Sequence, residues 1–265
     1  MLITMPTLTD SDLAAWEEHE RYDYELSKSF TPRIEQALDA IREFTSQHED
    51  AVCATSWGKD SVVVCWLTRV ASPHTPIVWV PTIRADGVSY EAEATYRVRD
   101  AFLETWPGPY SERPAVARNP KRGDPGYSPD QYDRAGYRSQ DVLRENIPEP
   151  SINGVRAEES QMRRNSARWH GIVSAHTARP ILYWPGISVF AALACMELPT
   201  HPAYAASYGG TLDRRFLRVH ALRSKPPARS SVYGRDMDTW EDTYFPELIE
   251  HRPWVGEQRD EPRIG

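Results

Sequence analysis

Residues 51–67 read AVCATSWGKDSVVVCWL: an apolar run, the polar turn Ser56-Trp57-Gly58-Lys59-Asp60-Ser61, and a second apolar run that begins at once. AVCATS (51–56) is short and apolar, as a buried parallel strand is, and DSVVVCWLTRV (60–70) is long enough for a helix despite its valines. A turn joining two such elements lies at the carboxyl edge of a parallel sheet, where these folds bind ligands. The helix begins near Lys59 or Asp60, so its first N–H groups lack intrahelical partners and, with the macrodipole, form a seat for an anion. Gly58 lets the backbone approach closely, Ser56 and Ser61 offer hydroxyls, and Lys59 supplies a full positive charge. The turn therefore reads as a phosphate cradle; the plainer alternative is a capped helix, with Ser56 and Asp60 as cap residues. It is not a Walker A loop, because Cys53 stands where that motif needs glycine and Asp60 follows the lysine.

On either side the pattern continues as strand and helix in alternation. Residues 10–29 read as a polar helix, and Thr31-Pro32 starts a second one with Ile34, Ala37, Leu38, Ile41 and Phe44 on one face. TPIVWVPT (75–82) is a second buried strand and residues 89–106 an amphipathic helix. From Trp106 to Arg138 proline and glycine break every period, which predicts a long loop or lid. Residues 151–169 read as a strand, a turn and a charged helix, 178–186 as a strand, and 187–198 as a buried helix. The expected fold is α/β: a doubly wound, mostly parallel sheet of five or six strands with helices on both faces, plus an irregular C-terminal extension. It divides into an N-terminal helical arm (1–30), a binding domain (31–208), and a basic segment with an acidic, proline-rich tail (209–265).

At 265 residues, with 40% hydrophobic and 26% charged, the chain has room for one large α/β domain and little more. No stretch approaches the roughly eighteen apolar residues of a membrane span, which predicts a soluble, cytoplasmic protein with no membrane partner. Cys53, Cys65 and Cys195 form no CxxC pair and lie in apolar surroundings, so a disulfide framework, an iron–sulfur cluster and a zinc site are all disfavoured. The net charge of −7 confines any nucleic-acid surface to a patch. One candidate patch is 211–230, with Arg214, Arg215, Arg218, Arg223, Lys225 and Arg229, and with Tyr204, Tyr208 and Phe216 available for stacking. The alternative there is a solvated basic face. His201 and His220 are candidate acid or base groups, although a lone histidine is more often structural.

Ser56-Trp57-Gly58-Lys59-Asp60-Ser61 resembles the S-x-G-K-D-S loop of the PP-loop ATP pyrophosphatases (adenine nucleotide alpha hydrolases), in the version used by the phosphoadenylyl-sulfate (PAPS) reductase family. Gly154-Val155-Arg156-Ala157-Glu158-Glu159-Ser160, followed by Arg163 and Arg164, resembles that family's G-x-R-x-x-E-S-x-x-R. RPILYWPGISVFAALACMELPTHPAY (179–204) resembles a third block, with Ser188 near where an aspartate is usual. The resemblance implies an adenine nucleotide, ATP or PAPS, with Ser56, Trp57, Gly58, Lys59, Asp60 and Ser61 around its phosphates. Thr82, Asp86 and Gly87 would lie near adenine and ribose, and Gly154, Arg156 and Arg163 would face the phosphates. Lys59, Arg156 and Ser61 are the catalytic candidates and Asp60 a Mg²⁺ contact or a helix cap.

Sulfonucleotide reductases of that family act through a C-terminal cysteine, and no cysteine follows Cys195 here. The resemblance therefore implies the older chemistry: cleavage of ATP between its α and β phosphates, adenylation of an acceptor and release of pyrophosphate. The alternatives it leaves are a PAPS-using sulfotransferase or sulfonucleotide enzyme, and a nucleotide sensor without turnover. Similar stand-alone chains occur in phages and mobile elements, so a nucleic-acid-modifying partner belongs with the third. A homo-oligomer is left open.

Overall fold

The computed structural model describes residues 1–27, 31–83, 87–116, 145–217, 219, 240 and 243–247. Along them run α1 (Asp10–Ser27), α2 (Thr31–Gln47), β1 (Val52–Thr55), α3 (Lys59–Ala71), β2 (Ile77–Trp79), β3 (Thr82–Ile83) and α4 (Glu93–Thr105). There follow β4 (Tyr110–Glu112), β5 (Ala115–Val116), β6 (Ser151–Ile152), α5 (Gln161–His170), β7 (Thr177–Ala178) and α6 (Gly186–Cys195). Five strands form one sheet in the order β4-β2-β1-β6-β7, with every neighbouring pair parallel. The chain builds outward from β1 to β2 and β4 on one side, then returns to lay β6 and β7 on the other. The switch in direction falls between β1 and β6, and in such sheets the crevice at the carboxyl ends of these two strands is where ligands bind.

Alternation along the strands feeds two cores. Cys53, Ile77, Trp79, Ile152 and Ala178 belong to the main one, with Phe44, Leu67, Val98, Phe102 and Phe190. Val52 and Val78 point the other way, into a smaller cluster with Val80 and Ala115. Burial on both faces explains why these strands read as apolar runs. α3 packs on α2 and α6, and α6 on α1.

Several elements differ from expectation. The apolar run 75–82 is not one strand: β2 stops at Trp79, and β3 pairs with β5 in a separate two-stranded ribbon. The helix expected from 89 begins at Glu93, because Ser89 bridges back to Ile83. The stretch 106–138, expected as a loop, opens with β4, the edge strand of the sheet; residues 117–138 lie outside the described residues. A three-residue strand directly after Pro109 carries no readable period, and β4 is held by Arg99 of α4, 2.5 Å from Glu112. The strand expected at 178–186 ends at Ala178, and tight turns follow, with Leu182 N–H donating to Arg179 O and Trp184 N–H to Ile181 O. Pro180 and Pro185 lack the N–H groups that a ladder needs.

The N-terminal helix is joined closely to the rest. The Asp12 carboxylate accepts from the N–H groups of Ser207 and Gly209 and from the Tyr244 hydroxyl, at 2.8–3.2 Å. Burial pushes its pKa up, but these bonds and those from Thr9 outweigh it and hold the carboxyl below its ordinary value.

Candidate functional site

The turn after β1 is set by an aromatic anchor. Trp57 has φ 55°, a left-handed conformation that costs a non-glycine residue about 1–2 kcal/mol. Its indole is fully buried, with ring centroids 5.5 Å from Phe102, 5.9 Å from Tyr110 and 6.4 Å from Trp79. Burying a ring of this size contributes more than the strain costs. Trp57 therefore shapes the loop from beneath, and only its backbone is left to face a ligand. Thr55 Oγ1 takes the Trp57 N–H at 3.1 Å, Ser61 Oγ takes the Ser56 N–H at 3.3 Å, and the Ser61 hydroxyl donates to Gly58 O at 3.0 Å.

Tyr204, buried under the start of α3, takes the Lys59 N–H on its hydroxyl at 3.1 Å, and the Lys59 ammonium lies 5.2 Å from its ring centroid. Burial pushes the Tyr204 phenol up, so it stays neutral. The N–H groups of Gly58, Asp60 and Ser61 have no acceptor among the described residues, and no side chain caps the helix. These three donors stand at the positive end of a thirteen-residue helix, an arrangement that stabilises negative charge.

The second half of the site comes from the loop after β6. Gly154 lies so close to α3 that a Cβ there would stand 3.0 Å from the Asp60 carbonyl carbon and 3.1 Å from Ser61 N. This close approach brings Arg156 to the same crevice. Its Nε donates to Asp60 Oδ1 at 2.5 Å, while Lys59 Nζ donates to Asp60 Oδ2 at 2.8 Å. Arg156 also pairs with Glu158 Oε2 at 2.7 Å and donates to Trp184 O at 3.3 Å. The same Glu158 oxygen accepts from Gly186 N–H, the first residue of α6, at 2.6 Å. Burial would raise the Asp60 carboxyl; the Lys59 and Arg156 charges and their hydrogen bonds outweigh it and hold Asp60 below the usual carboxylate range. Two cations thus face two carboxylates, between the N-termini of α3 and α6.

Lys59, Asp60, Ser61, Gly154 and Arg156 are therefore brought together with Ser56 and Gly58. Arg163 is not among them: its N–H is capped by Ser160 Oγ and its guanidinium pairs with Glu159. Thr82 lies in β3, its carbonyl accepting from Tyr90 N–H, and Gly87 has φ 86°. Asp86 lies outside the described residues.

The donor set suits a polyphosphate, and a Mg²⁺ contact from Asp60 would require its oxygens to leave Lys59 and Arg156 first. Both oxygens of Asp60 are engaged by cations, and no cluster of three or more His, Cys, Asp or Glu among the described residues is placed to hold a metal. Sequence reasoning missed Glu158 and Tyr204 as partners of the site. Glu158 has the spacing of an ordinary surface helix residue, and Tyr204 stands 145 positions from the N–H that it accepts.

The remaining candidates that are described are engaged away from this crevice or buried. His201 is buried, its pKa pushed down to about 3 by loss of solvent. Its Nδ1 accepts from Ala203 N–H, so the ring proton sits on Nε2, 3.3 Å from Thr95 Oγ1. Cys53 and Cys65 are buried, but Cys195 is exposed, a departure from the apolar setting expected of it. It ends α6, at the negative end of the helix dipole, the opposite of the electropositive setting a reactive thiolate needs. Of the basic segment, Arg214 is buried against Asp23 and Arg215 pairs with Asp213. His220, Arg218, Arg223, Lys225 and Arg229 lie outside the described residues.

No family model and no curated protein matches the chain. Among solved structures it is similar to a PAPS reductase from Candida auris in complex with phosphate, at 11% identity and TM-score 0.41, covering 63% of this chain and 82% of that one. An NMN synthetase from Francisella tularensis is similar at 10% identity and TM-score 0.42, covering 89% and 98%. The U34-tRNA thiolase NcsA from Methanococcus maripaludis, with its 4Fe-4S cluster, is similar at 14% and 0.37, covering 86% and 78%.

Proposed function

We propose that the crevice binds the polyphosphate of an adenine nucleotide, and that the chain cleaves ATP between its α and β phosphates while adenylating an acceptor. The observation that supports this reading is the meeting of Lys59 and Arg156 on one carboxylate, beside three N–H groups of α3 that lack acceptors, at the switch point of the sheet. On arrival of the nucleotide, Lys59 and Arg156 exchange Asp60 for phosphate oxygens. An oxygen of the acceptor attacks the α-phosphorus, the bond from that phosphorus to the bridging oxygen breaks, and the electron pair leaves with pyrophosphate. Lys59 and the N–H groups of Gly58, Asp60 and Ser61 hold the leaving group, and Arg156 offsets charge on the α-phosphate. The protein's contribution is positioning and charge stabilisation.

Incubation with α-labelled ATP, or with PAPS, and candidate acceptors tests this. AMP or an adenylylated product should appear with pyrophosphate, and Lys59→Ala should lower kcat/KM by about a hundredfold or more. Release of adenosine 3′,5′-bisphosphate from PAPS would favour a sulfonucleotide enzyme instead. Binding without turnover of either nucleotide would favour a sensor.

A further inference from the structure

α5 follows directly on the Arg156 loop and is unlike the rest of the chain. In a protein of net charge −7 it carries Arg163, Arg164 and Arg168 and no acidic residue. Its inward side buries Ala167, yet it turns outward two large apolar side chains, Trp169 at 85% exposure and Met162 at 80%. These two are seven positions apart, two helical turns, and therefore share a face. Tryptophan is ordinarily the kind of side chain a fold buries, and an exposed one in a basic setting points to a partner.

The arginines fit the same reading. Arg164 spends its guanidinium on Gln161 Oε1 and the Glu158 carbonyl, and neither it nor Arg168 has a carboxylate partner among the described residues. They stand four positions apart on the exposed side of the helix, roughly 100° and 140° around it from Trp169 at about 100° per residue. Tyr183, 59% exposed, lies against the helix through its hydroxyl bond to Ala167 O at 3.1 Å. An aromatic platform beside arginines free of counter-ions matches a single nucleic-acid strand, whose bases stack and whose phosphates supply the missing charge. It matches a duplex poorly, because stacked and paired bases offer no ring face. A protein partner would need carboxylates opposite both arginines as well as an apolar surface opposite the ridge.

We infer that the outer face of α5 binds single-stranded nucleic acid through stacking on Trp169 and phosphate contacts from Arg164 and Arg168. Stacking and phosphate contact are common to ribo- and deoxyribo-oligomers, so both sugars belong to this ligand class. The first turn of α5 is linked to the crevice through Glu158, which Arg164 and Arg156 both contact. A strand lying along α5 therefore passes close to the site. That such a strand is the acceptor rests on the function proposed above; that it binds here does not.

The test is fluorescence anisotropy with the full chain and labelled single strands of about 16 nucleotides, ribo and deoxyribo, with the duplex of the same sequence, all without ATP. Single strands of both sugars should bind better than the duplex. Trp169→Ala should weaken binding about tenfold or more. Arg164→Gln with Arg168→Gln should reduce the slope of log Kd against log salt by about 1.4, at about 0.7 for each phosphate no longer neutralised. All three side chains are exposed, so an unchanged Tm separates impaired binding from impaired folding. Absence of single-strand binding, preference for the duplex, or affinities that these variants leave unchanged would overturn the inference. So would self-association abolished by Trp169→Ala without any oligonucleotide binding, which would assign the face to a second copy of the chain. Because no nucleotide is added, failure here and failure of ATP cleavage are read separately.

Discussion

Tyr204 illustrates how one hydroxyl sets the donor pattern of a phosphate loop. By accepting the Lys59 N–H it uses the first donor of α3 and leaves those of Gly58, Asp60 and Ser61. Its ring is fixed edge to face on Phe190, at 5.7 Å and 83°, so the hydroxyl cannot swing away without disturbing α6. Tyr204→Phe keeps the packing and removes the acceptor. Leaving that buried N–H unpaired should cost about 1–2 kcal/mol, lowering Tm by roughly 2–8 °C for a chain of this size. A Tm equal to that of the parent protein would show that the bond contributes nothing. Local sequence suggests a different part for Tyr204, as an aromatic available for stacking, because a hydroxyl's partner cannot be read from its neighbours in the chain. Trp57 departs in the same way: its position in the loop suggests contact with the ligand, and its indole turns into the core.

The helix ends show what local pattern does and does not disclose. α6 is legible as a buried helix because GISVFAALAC is apolar on every side. Its end at Cys195, three residues before the expected one, is set by a motif that the sequence conceals. Leu198 N–H reaches back to Leu193 O and Glu197 N–H to Ala194 O, the two bonds of a Schellman cap. Glu197 occupies its left-handed position with φ 50°, where glycine is the residue that signals a stop. Glu197→Gly should relieve strain of about 1 kcal/mol, part of which is offset by the greater freedom of glycine in the unfolded chain. The expected outcome is a higher Tm, by about 1–3 °C, in thermal unfolding followed by circular dichroism. A decrease would mean that the Glu197 side chain contributes more than its backbone costs.

The N-terminal helix is tied to the body of the fold by a buried ion pair. Arg214 Nη2 lies 2.5 Å from Asp23 Oδ2, with both side chains almost wholly buried, and the guanidinium sits 4.1 Å over the Phe190 ring. Burial raises the Asp23 carboxyl despite the arginine beside it, and burial lowers Arg214 despite the aspartate. Both directions favour the neutral forms, so mutual attraction does not fully repay desolvation. Asp23→Leu alone should therefore destabilise the protein by about 3–5 kcal/mol, because it strands a buried cation, whereas Asp23→Leu with Arg214→Met should recover most of that loss. Denaturant unfolding of the two variants measures it; a double variant no more stable than the single one would show that the pair is net stabilising. The same ion pair takes Arg214 out of the basic surface expected over 211–230: its charge is visible in sequence, and the partner that buries it is not.

The strand, turn and helix at 51–67, the alternation that makes the fold α/β, and the residue types of an anion seat are all decided within short windows. Backbone propensity, apolar period and helix-end chemistry act between near neighbours, so a sequence carries them openly. Folding alone decides that Arg156 shares Asp60 with Lys59 across 96 positions, that Tyr204 closes the loop across 145, and that Arg214 reaches Asp23 across 191. Each depends on strand order, which places the loop after β6 beside the loop after β1, and on the packing of α6 between α1 and α3. Those arrangements follow from burying the chain as one body, and no local stretch of residues encodes them.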